Sequence, residues 1–205
     1  GIFDGSQQTM PKLMQQAGYQ TALIGKWHLV SLPTGFDHWE ILPGQGDYYN
    51  PGFITMDGKQ HTEHGYCTDI VTDKSIAWLE QRDTSRPFIL FVHHKACHRP
   101  WLPDFKDFRT YEDKTFPLPE TFWDKWEGRE AAQQQEMSIA SAHDMDLAYD
   151  CKIYSKGDQS RLTENYERMV NRLEPADRQT YWQFYDSITT DFRSRHYEGD
   201  ALTEA

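Results

Sequence analysis

The stretch GYQTALIGKWH, residues 18–28, decides the fold of this chain. Residues 19–24 are apolar at all but two positions, and a glycine stands at each end of the run. A short apolar run of this kind is typical of a strand that is covered on both faces. The polar residues Lys26 and His28 follow at once. Because ligands of open α/β sheets bind outside the carboxyl ends of strands, this pair stands where a site is expected.

A second apolar run, FILFV at residues 88–92, also ends in polar residues, HHKACHRPW at 93–101. Between the two runs, a helical pattern begins near Thr68 and ends near Arg82. A strand, a helix and a second strand in this order form a crossover, and crossovers join parallel strands. We therefore predict that both polar segments emerge at the same edge of one sheet.

The two polar segments are strongly cationic. They contain no acid, and their basic and imidazole residues are Lys26, His28, His93, His94, Lys95, His98 and Arg99. The chain as a whole has a formal net charge of -11. Such a local concentration indicates a site for an anion, with a histidine available for proton transfer. The alternative interpretation is an exposed basic loop whose histidines only pack against their neighbours.

The composition argues against several classes of function. The net charge of -11 disfavours a general binder of nucleic acid or of anionic membranes, and no apolar stretch reaches the roughly 20 residues of a membrane span. Cys67, Cys97 and Cys151 lack CxxC spacing, so neither a disulfide framework nor a zinc knuckle is supported. A zinc site within residues 93–98 is disfavoured because adjacent histidines on an extended segment point to opposite faces. No metal site is predicted within the chain.

Elsewhere the sequence predicts loops and helices. Thr9 can cap a short helix that ends at Gly18, and residues 29–65 lack a sustained period, which predicts a long loop. For the second half of the chain, the sequence predicts an irregular bridge followed by three helices. The apolar stripes of such helices ordinarily pack in the core. The bridge is at 104–126, and the helices are at 130–150, around Tyr166 and from Pro175 onward.

The segment GYQTALIGKWHL (18–29) resembles a signature segment of the sulfatases, a branch of the alkaline phosphatase superfamily that hydrolyses sulfate esters. HHKACHRPWLP (93–103) resembles the segment that follows a later strand there. PTGFDHWEILPGQGDYYNPGF (33–53) is similar to bacterial sulfatases of glycosaminoglycan and other carbohydrate sulfates. The likeness extends from about Phe3 to Trp126 and more loosely beyond. It implies an α/β, alkaline phosphatase-like fold: a parallel or mixed sheet flanked by helices, with a helical C-terminal portion.

The resemblance also implies roles for individual residues. In the family, the lysine and histidine of the first motif contact the sulfate and the formylglycine nucleophile, which implies those roles for Lys26 and His28. The histidine two residues before the proline of the second motif protonates the leaving alcohol, which implies that role for His98. The further substrate contacts are expected from Lys95, Arg99 and Trp101.

Two parts of the family pattern are absent from these 205 residues. The C/S-x-P-x-R motif, whose Cys or Ser becomes formylglycine, is not present, and the aspartate pairs that bind calcium are missing. We expect these parts before Gly1 and after Ala205. The chain is therefore interpreted as an internal segment, inactive alone, whose calcium ligands and formylglycine lie outside it. In addition, Cys97 stands where the family commonly has a proline.

The predicted function is hydrolysis of sulfuric esters of carbohydrates, with a sulfated carbohydrate as partner and neither nucleic acid nor membrane. The resemblance implies a periplasmic or extracellular location. The alternatives are a phosphoester or phosphonate hydrolase of the same superfamily, and a non-catalytic fragment that binds sulfated glycan. We predict a partial sulfatase-like catalytic domain over residues 1–103, and a bridge and helical portion of the same domain over 104–205.

Overall fold

The computed structural model describes residues 1–135, 145–154 and 162–205. They form two compact units, Gly1–His98 and Arg99–Ala205. The predicted domain boundary after residue 103 stays a prediction. The first unit consists of α1 (Met10–Gln16), β1 (Gln20–Lys26), β2 (His38–Leu42), β3 (Gly52–Thr55), β4 (Gln60–Thr62), α2 (Cys67–Gln81) and β5 (Phe88–His93). The five strands form one sheet in the order β4-β3-β2-β1-β5.

Strand β1 is central to the first unit. It is parallel to β2 on one side and to β5 on the other, and Gly25 lies opposite Ile41 and His93. The predicted crossover between parallel strands is therefore confirmed. Strands β3 and β4 are antiparallel to their neighbours, so the sheet is mixed. The α/β fold class is confirmed.

Successive residues of β1 bury their side chains on opposite faces of the sheet. Leu23 packs with Phe36, Trp39 and Ile41 in one cluster. Ile24 belongs to a second cluster, which α2 covers with Cys67 and Val71 and which also contains Leu42 and Phe53. A strand buried on both faces can be apolar throughout, which explains the continuous apolar run in the sequence.

Strand β5 is less buried than its apolar sequence predicts. Phe88 and Val92 are 39% and 38% exposed. Within the described residues, β5 pairs with β1 alone and lies at the edge of the sheet. An edge position leaves one side of a strand without a neighbouring strand, which accounts for the exposure.

The prediction of a long loop over residues 29–65 is wrong, because β2, β3 and β4 lie in it. These strands are only three to five residues long, and all of β4 is exposed. Segments this short cannot display a sustained period. Their strand conformation follows from pairing with the rest of the sheet, which local sequence does not report.

An ion network joins α2 to the sheet. The Lys74 Nζ lies 2.7 Å from Glu40 Oε2 and 2.6 Å from Glu63 Oε1. A hydrogen bond from His38 and the nearby Lys74 ammonium lower the pKa of Glu40 to about 2, against the opposing effect of burial. The carboxylate of Glu40 is therefore stabilised in its charged form.

The regular elements described in the second unit are helices, and the unit contains an aromatic core. Its elements are a short 3₁₀ helix (Phe105–Asp107), α3 (Glu130–Gln133), α4 (Thr163–Val170), α5 (Pro175–Ser194) and α6 (Gly199–Glu204). Tyr166 of α4 and Tyr181 of α5 are fully buried, and their hydroxyl groups lie 2.7 Å apart. The last two predicted helices are thus confirmed as core elements. None of the helices in the described ranges has the length and apolar character needed to cross a bilayer.

Of the predicted helix over 130–150, the residues that the structure describes are helical only at the start, in α3. Helix α3 ends at Gln133, residues 136–144 lie outside the described residues, and residues 147–150 form a turn. In that turn, the Asp146 carboxylate accepts a hydrogen bond from the Tyr149 amide at 2.9 Å. Aspartate side chains that satisfy nearby backbone donors in this way compete with helix formation.

We predict that Gly25→Ala destabilises the first unit strongly. Gly25 has a φ of +109°, and an added Cβ would lie 2.0 Å from the His93 carbonyl oxygen. Gly58 also has a positive φ, +78°, but its added Cβ would contact nothing within 4 Å. Gly58→Ala is thus a matched control that costs about 1–2 kcal/mol, and Gly25→Ala should cost about 3 kcal/mol more. Equal urea unfolding midpoints for the two variants would contradict the prediction.

We predict that Glu40→Gln changes how stability depends on pH. Since the folded-state pKa of Glu40 is depressed from 4.5 to about 2, its stabilisation is present above pH 4.5 and is lost as the pH falls toward 2. Glu40→Gln should lower the free energy of unfolding at pH 6 by about 1–3 kcal/mol and flatten its decline between pH 6 and 3. The exposed Glu80→Gln is the control. Urea titrations that give both variants the wild-type slope would refute this role.

Candidate active site

The end of β1 presents Lys26 and His28. The Lys26 side chain is partly buried, and burial lowers the pKa of its amine below the ordinary range. No carboxylate pairs with this amine within the described ranges. His28 is exposed. A partly desolvated ammonium group without an acidic partner has a strong tendency to bind an anion.

The segment after β5 lies next to the end of β1. His93 Nδ1 is 3.1 Å from the Lys26 carbonyl oxygen, so the two predicted polar segments meet as expected. Lys95 is only 2% exposed; its ammonium group donates to the Gln45 carbonyl oxygen at 3.2 Å and lies 4.8 Å from the centre of the Tyr48 ring. Its charge is therefore held beneath the surface. The His98 side chain, in contrast, is exposed.

The loop after β2 connects these segments. Its Tyr48 hydroxyl donates to the His98 carbonyl oxygen at 2.5 Å. Its Gln45 side-chain nitrogen lies 3.0 Å from His28 Nδ1 and 3.5 Å from His28 Nε2. A donor in the ring plane at Nδ1 would lie much farther from Nε2, so the Gln45 amide lies over the face of the imidazole. Three loops, after β1, β2 and β5, thus form one continuous surface of contacts.

Arg99 and Trp101 belong to the second unit. The Arg99 guanidinium makes a bidentate ion pair with Asp150, whose side chain is fully buried, and Nε donates to Oδ1 at 2.7 Å. Trp101 is 42% exposed. The Lys152 ammonium lies 5.7 Å from the Trp101 ring centre and donates to the carbonyl oxygens of Pro100 and Asp150. Burial lowers the pKa of Lys152 to about 8.

Sequence reasoning did not identify Gln45, Tyr48 or Asp150. Gln45 and Tyr48 lie in the stretch that was predicted to be a long loop, and only the pairing of β2 with β1 brings them to the site. Asp150 lies 51 residues after its partner Arg99. The sequence does contain one signal for Gln45, the PGQG turn at residues 43–46. Functional side chains are expected in turns at the carboxyl ends of parallel strands.

One group of described residues has the donors to bind a metal ion, but it does not fit calcium. Ligand atoms of Glu40, His61 and Glu63 lie within 4.8 Å of one another. The Lys74 ammonium already contacts both carboxylates, and an imidazole is a poor ligand for calcium, which prefers oxygen. We assign no calcium to these residues.

The cysteines do not fit the family nucleophile either. Cys67 is fully buried, and burial raises the pKa of its thiol to about 12. Burial also raises the pKa of Cys151. None of the three cysteines stands in a C/S-x-P-x-R sequence. No step of the chemistry is therefore assigned to a formylglycine formed within these residues.

Comparisons with known proteins identify the family of the chain. The family model described as Sulfatase matches residues 3–188. The chain is 45% identical over 205 residues to the N-acetylglucosamine-6-O-sulfatase of Bacteroides thetaiotaomicron, covering 98% of this chain and 36% of that relative. It is 29% identical over 110 residues to the N-acetylglucosamine-6-sulfatase of Capra hircus, covering 45% of this chain and 19% of that relative.

A solved structure shows the same fold. It is described as a complex with its substrate D-glucosamine-2-N,6-O-disulfate, and it is 41% identical to this chain with a TM-score of 0.86. The match covers all of this chain and 42% of that one. The chain thus spans well under half the length of these relatives. On the family match and the identity over its whole length, the chain belongs to the sulfatase family.

Proposed function

We propose that this chain carries part of the active site of a sulfuric ester hydrolase that acts on a sulfated amino sugar. The observation that supports this most strongly is the convergence of cationic residues at the adjacent ends of β1 and β5, in a chain whose net charge is -11. A sulfate ester is an anion that such a site attracts, whereas the rest of the chain repels it.

Lys26 and His28 are proposed to contact the sulfuryl oxygens. As the ester bond breaks, negative charge develops on these oxygens and on the departing sugar oxygen. An ammonium group that is already partly desolvated interacts strongly with that charge, because it loses little further hydration when the anion arrives. The Gly25 conformation and the β1–β5 pairing fix the backbone that carries Lys26.

His98 is proposed to donate a proton to the leaving sugar oxygen. Its exposed side chain is accessible to a substrate, and its backbone is held by the Tyr48 hydroxyl and by its own amide, which donates to the Lys95 carbonyl oxygen at 3.0 Å. A sugar alkoxide is a poor leaving group, so protonation during bond cleavage accelerates the reaction.

The other three predicted residues have different supporting observations. Lys95 is buried, so we propose that it contributes its charge to the site rather than a direct contact. The exposed indole of Trp101 suits stacking on a sugar face. For Arg99, the bidentate pairing with Asp150 fixes the guanidinium group, and we propose that its charge contributes to substrate binding.

The proposed substrate is a glucosamine derivative with a 6-O-sulfate. The support is the name of the relative that is 45% identical over nearly the whole chain and the sulfated glucosamine bound in the solved structure. We further propose a periplasmic or extracellular location, and calcium and formylglycine in the complete enzyme, as the family resemblance implies. No residue described here is assigned to bind that calcium.

We predict that the 205-residue chain binds inorganic sulfate locally. Titration with sodium sulfate, at an ionic strength matched with sodium chloride, should shift the NMR resonances of Lys26, His28 and His98 before those of other residues. Lys26→Met should abolish the shifts, whereas Lys59→Met, at an exposed lysine paired with Asp57, should not. A parallel titration with phosphate tests the alternative of a phosphoester hydrolase, whose site should respond to phosphate at lower concentrations than to sulfate. Uniform shifts over the whole surface would instead support the interpretation of an exposed basic loop without a specific anion site.

We predict that His98 and Lys26 respond differently to the leaving group, in the protein that carries this chain. His98→Ala should lower kcat on a sugar sulfate by about 10²- to 10⁴-fold and affect an activated aryl sulfate much less, because a nitrophenolate leaves without protonation. Lys26→Ala should reduce both rates similarly, since it contacts the sulfuryl group that both substrates share.

This comparison requires variants with unchanged folding and metal content, because a lost metal ion slows both substrates alike. Circular dichroism and metal analysis provide that control. Equal losses on both substrates for His98→Ala would exclude His98 as the acid and leave His93 or His94 as candidates.

A further inference from the structure

The turn after β2 fixes the backbone of Gln45. The Gly46 amide donates to the Pro43 carbonyl oxygen at 2.9 Å, which closes a turn over residues 43–46. Gly44 and Gly46 both have positive φ, and a Cβ at Gly46 would lie 2.9 Å from the buried Leu42 side chain. The turn conformation therefore requires its glycines, and it holds Gln45 at a defined place beside the site.

Gln45 contacts residues that follow two other strands, β1 and β5. Its carbonyl oxygen accepts a hydrogen bond from the buried Lys95 ammonium at 3.2 Å, after β5. Its side-chain amide lies over the imidazole of His28, after β1, 3.0 Å from Nδ1. His28 is otherwise exposed, and a solvated histidine side chain rotates freely between rotamers. Within the described residues, the Gln45 amide contacts this ring at both of its nitrogens.

The other end of the Gln45 amide is buried. Its Oε1 is inaccessible to solvent and accepts no hydrogen bond from any residue in the described part of the chain. A buried acceptor without a donor destabilises a fold, and such groups in native structures call for an explanation. Holding the amide against the imidazole of a functional histidine provides one.

We propose that Gln45 is a positioning residue, which orients the His28 imidazole toward the sulfuryl group and ties it, through its own main chain, to the Lys95 charge. This inference rests on the proposed function of His28. It adds that the loop after β2, which carries none of the predicted site residues, determines how well the site binds sulfate. In this role Gln45 acts through its contact with His28.

The first test reads the histidine directly and does not depend on activity. In the 205-residue chain, Gln45→Ala should change the ring ¹H and ¹⁵N chemical shifts of His28 and leave those of His61 unchanged. The substitution keeps the carbonyl group that Lys95 contacts, so it removes only the side-chain contact. Gln60→Ala, at an exposed position of β4, is the matched control. An unchanged His28 ring spectrum in Gln45→Ala would overturn the inference.

The second test is a double-mutant cycle with inorganic sulfate as the probe. Gln45→Ala should weaken sulfate binding about 3- to 10-fold when His28 is present, and by less than about 1.5-fold in a His28→Ala background. Equal losses in the two backgrounds would show that Gln45 does not act through His28. If wild-type chain does not bind sulfate at all, the proposed function fails, while the ring spectrum still decides whether Gln45 orients His28.

Discussion

The close approach of β1 and β5 at Gly25 is the constraint on which the rest of this structure depends. An added Cβ at Gly25 would lie 2.0 Å from the His93 carbonyl oxygen, so only glycine permits this pairing without a shift of the backbone. Gly25 stands one residue before the end of β1 and pairs with His93, the last residue of β5, so both cationic segments begin here. The sheet and the site are therefore set by one contact, and the backbone conformation needed at Gly25, with its φ of +109°, is one that glycine adopts readily.

The site is assembled mainly through main-chain groups. The His93 ring contacts the Lys26 carbonyl oxygen, the Tyr48 hydroxyl contacts the His98 carbonyl oxygen, and the Lys95 ammonium contacts the Gln45 carbonyl oxygen. Each side chain thus fixes the backbone of a neighbouring loop. In this arrangement Lys26 remains partly exposed, and His28 and His98 are exposed.

The sequence alone predicts the parts of this fold that depend on local signals. Residues 19–24 and 88–92 are apolar for as long as a buried strand requires, and their polar ends meet as the crossover rule demands. Strands β2 to β4 could not be predicted, since they are short and depend on pairing. The contacts of Gln45 and Asp150 could not be predicted either, because their partners are distant in sequence; the PGQG turn marks the place of Gln45 but not its partner.

The contrast between a chain of net charge -11 and cationic strand ends limits the distance over which an anion is attracted to the site. Electrostatic attraction to the strand ends extends over about one Debye length, roughly 8 Å at physiological ionic strength. Beyond that range, an anion meets the average field of a chain with a net charge of -11, which disfavours it. The attraction at the strand ends is therefore local, and added salt weakens it.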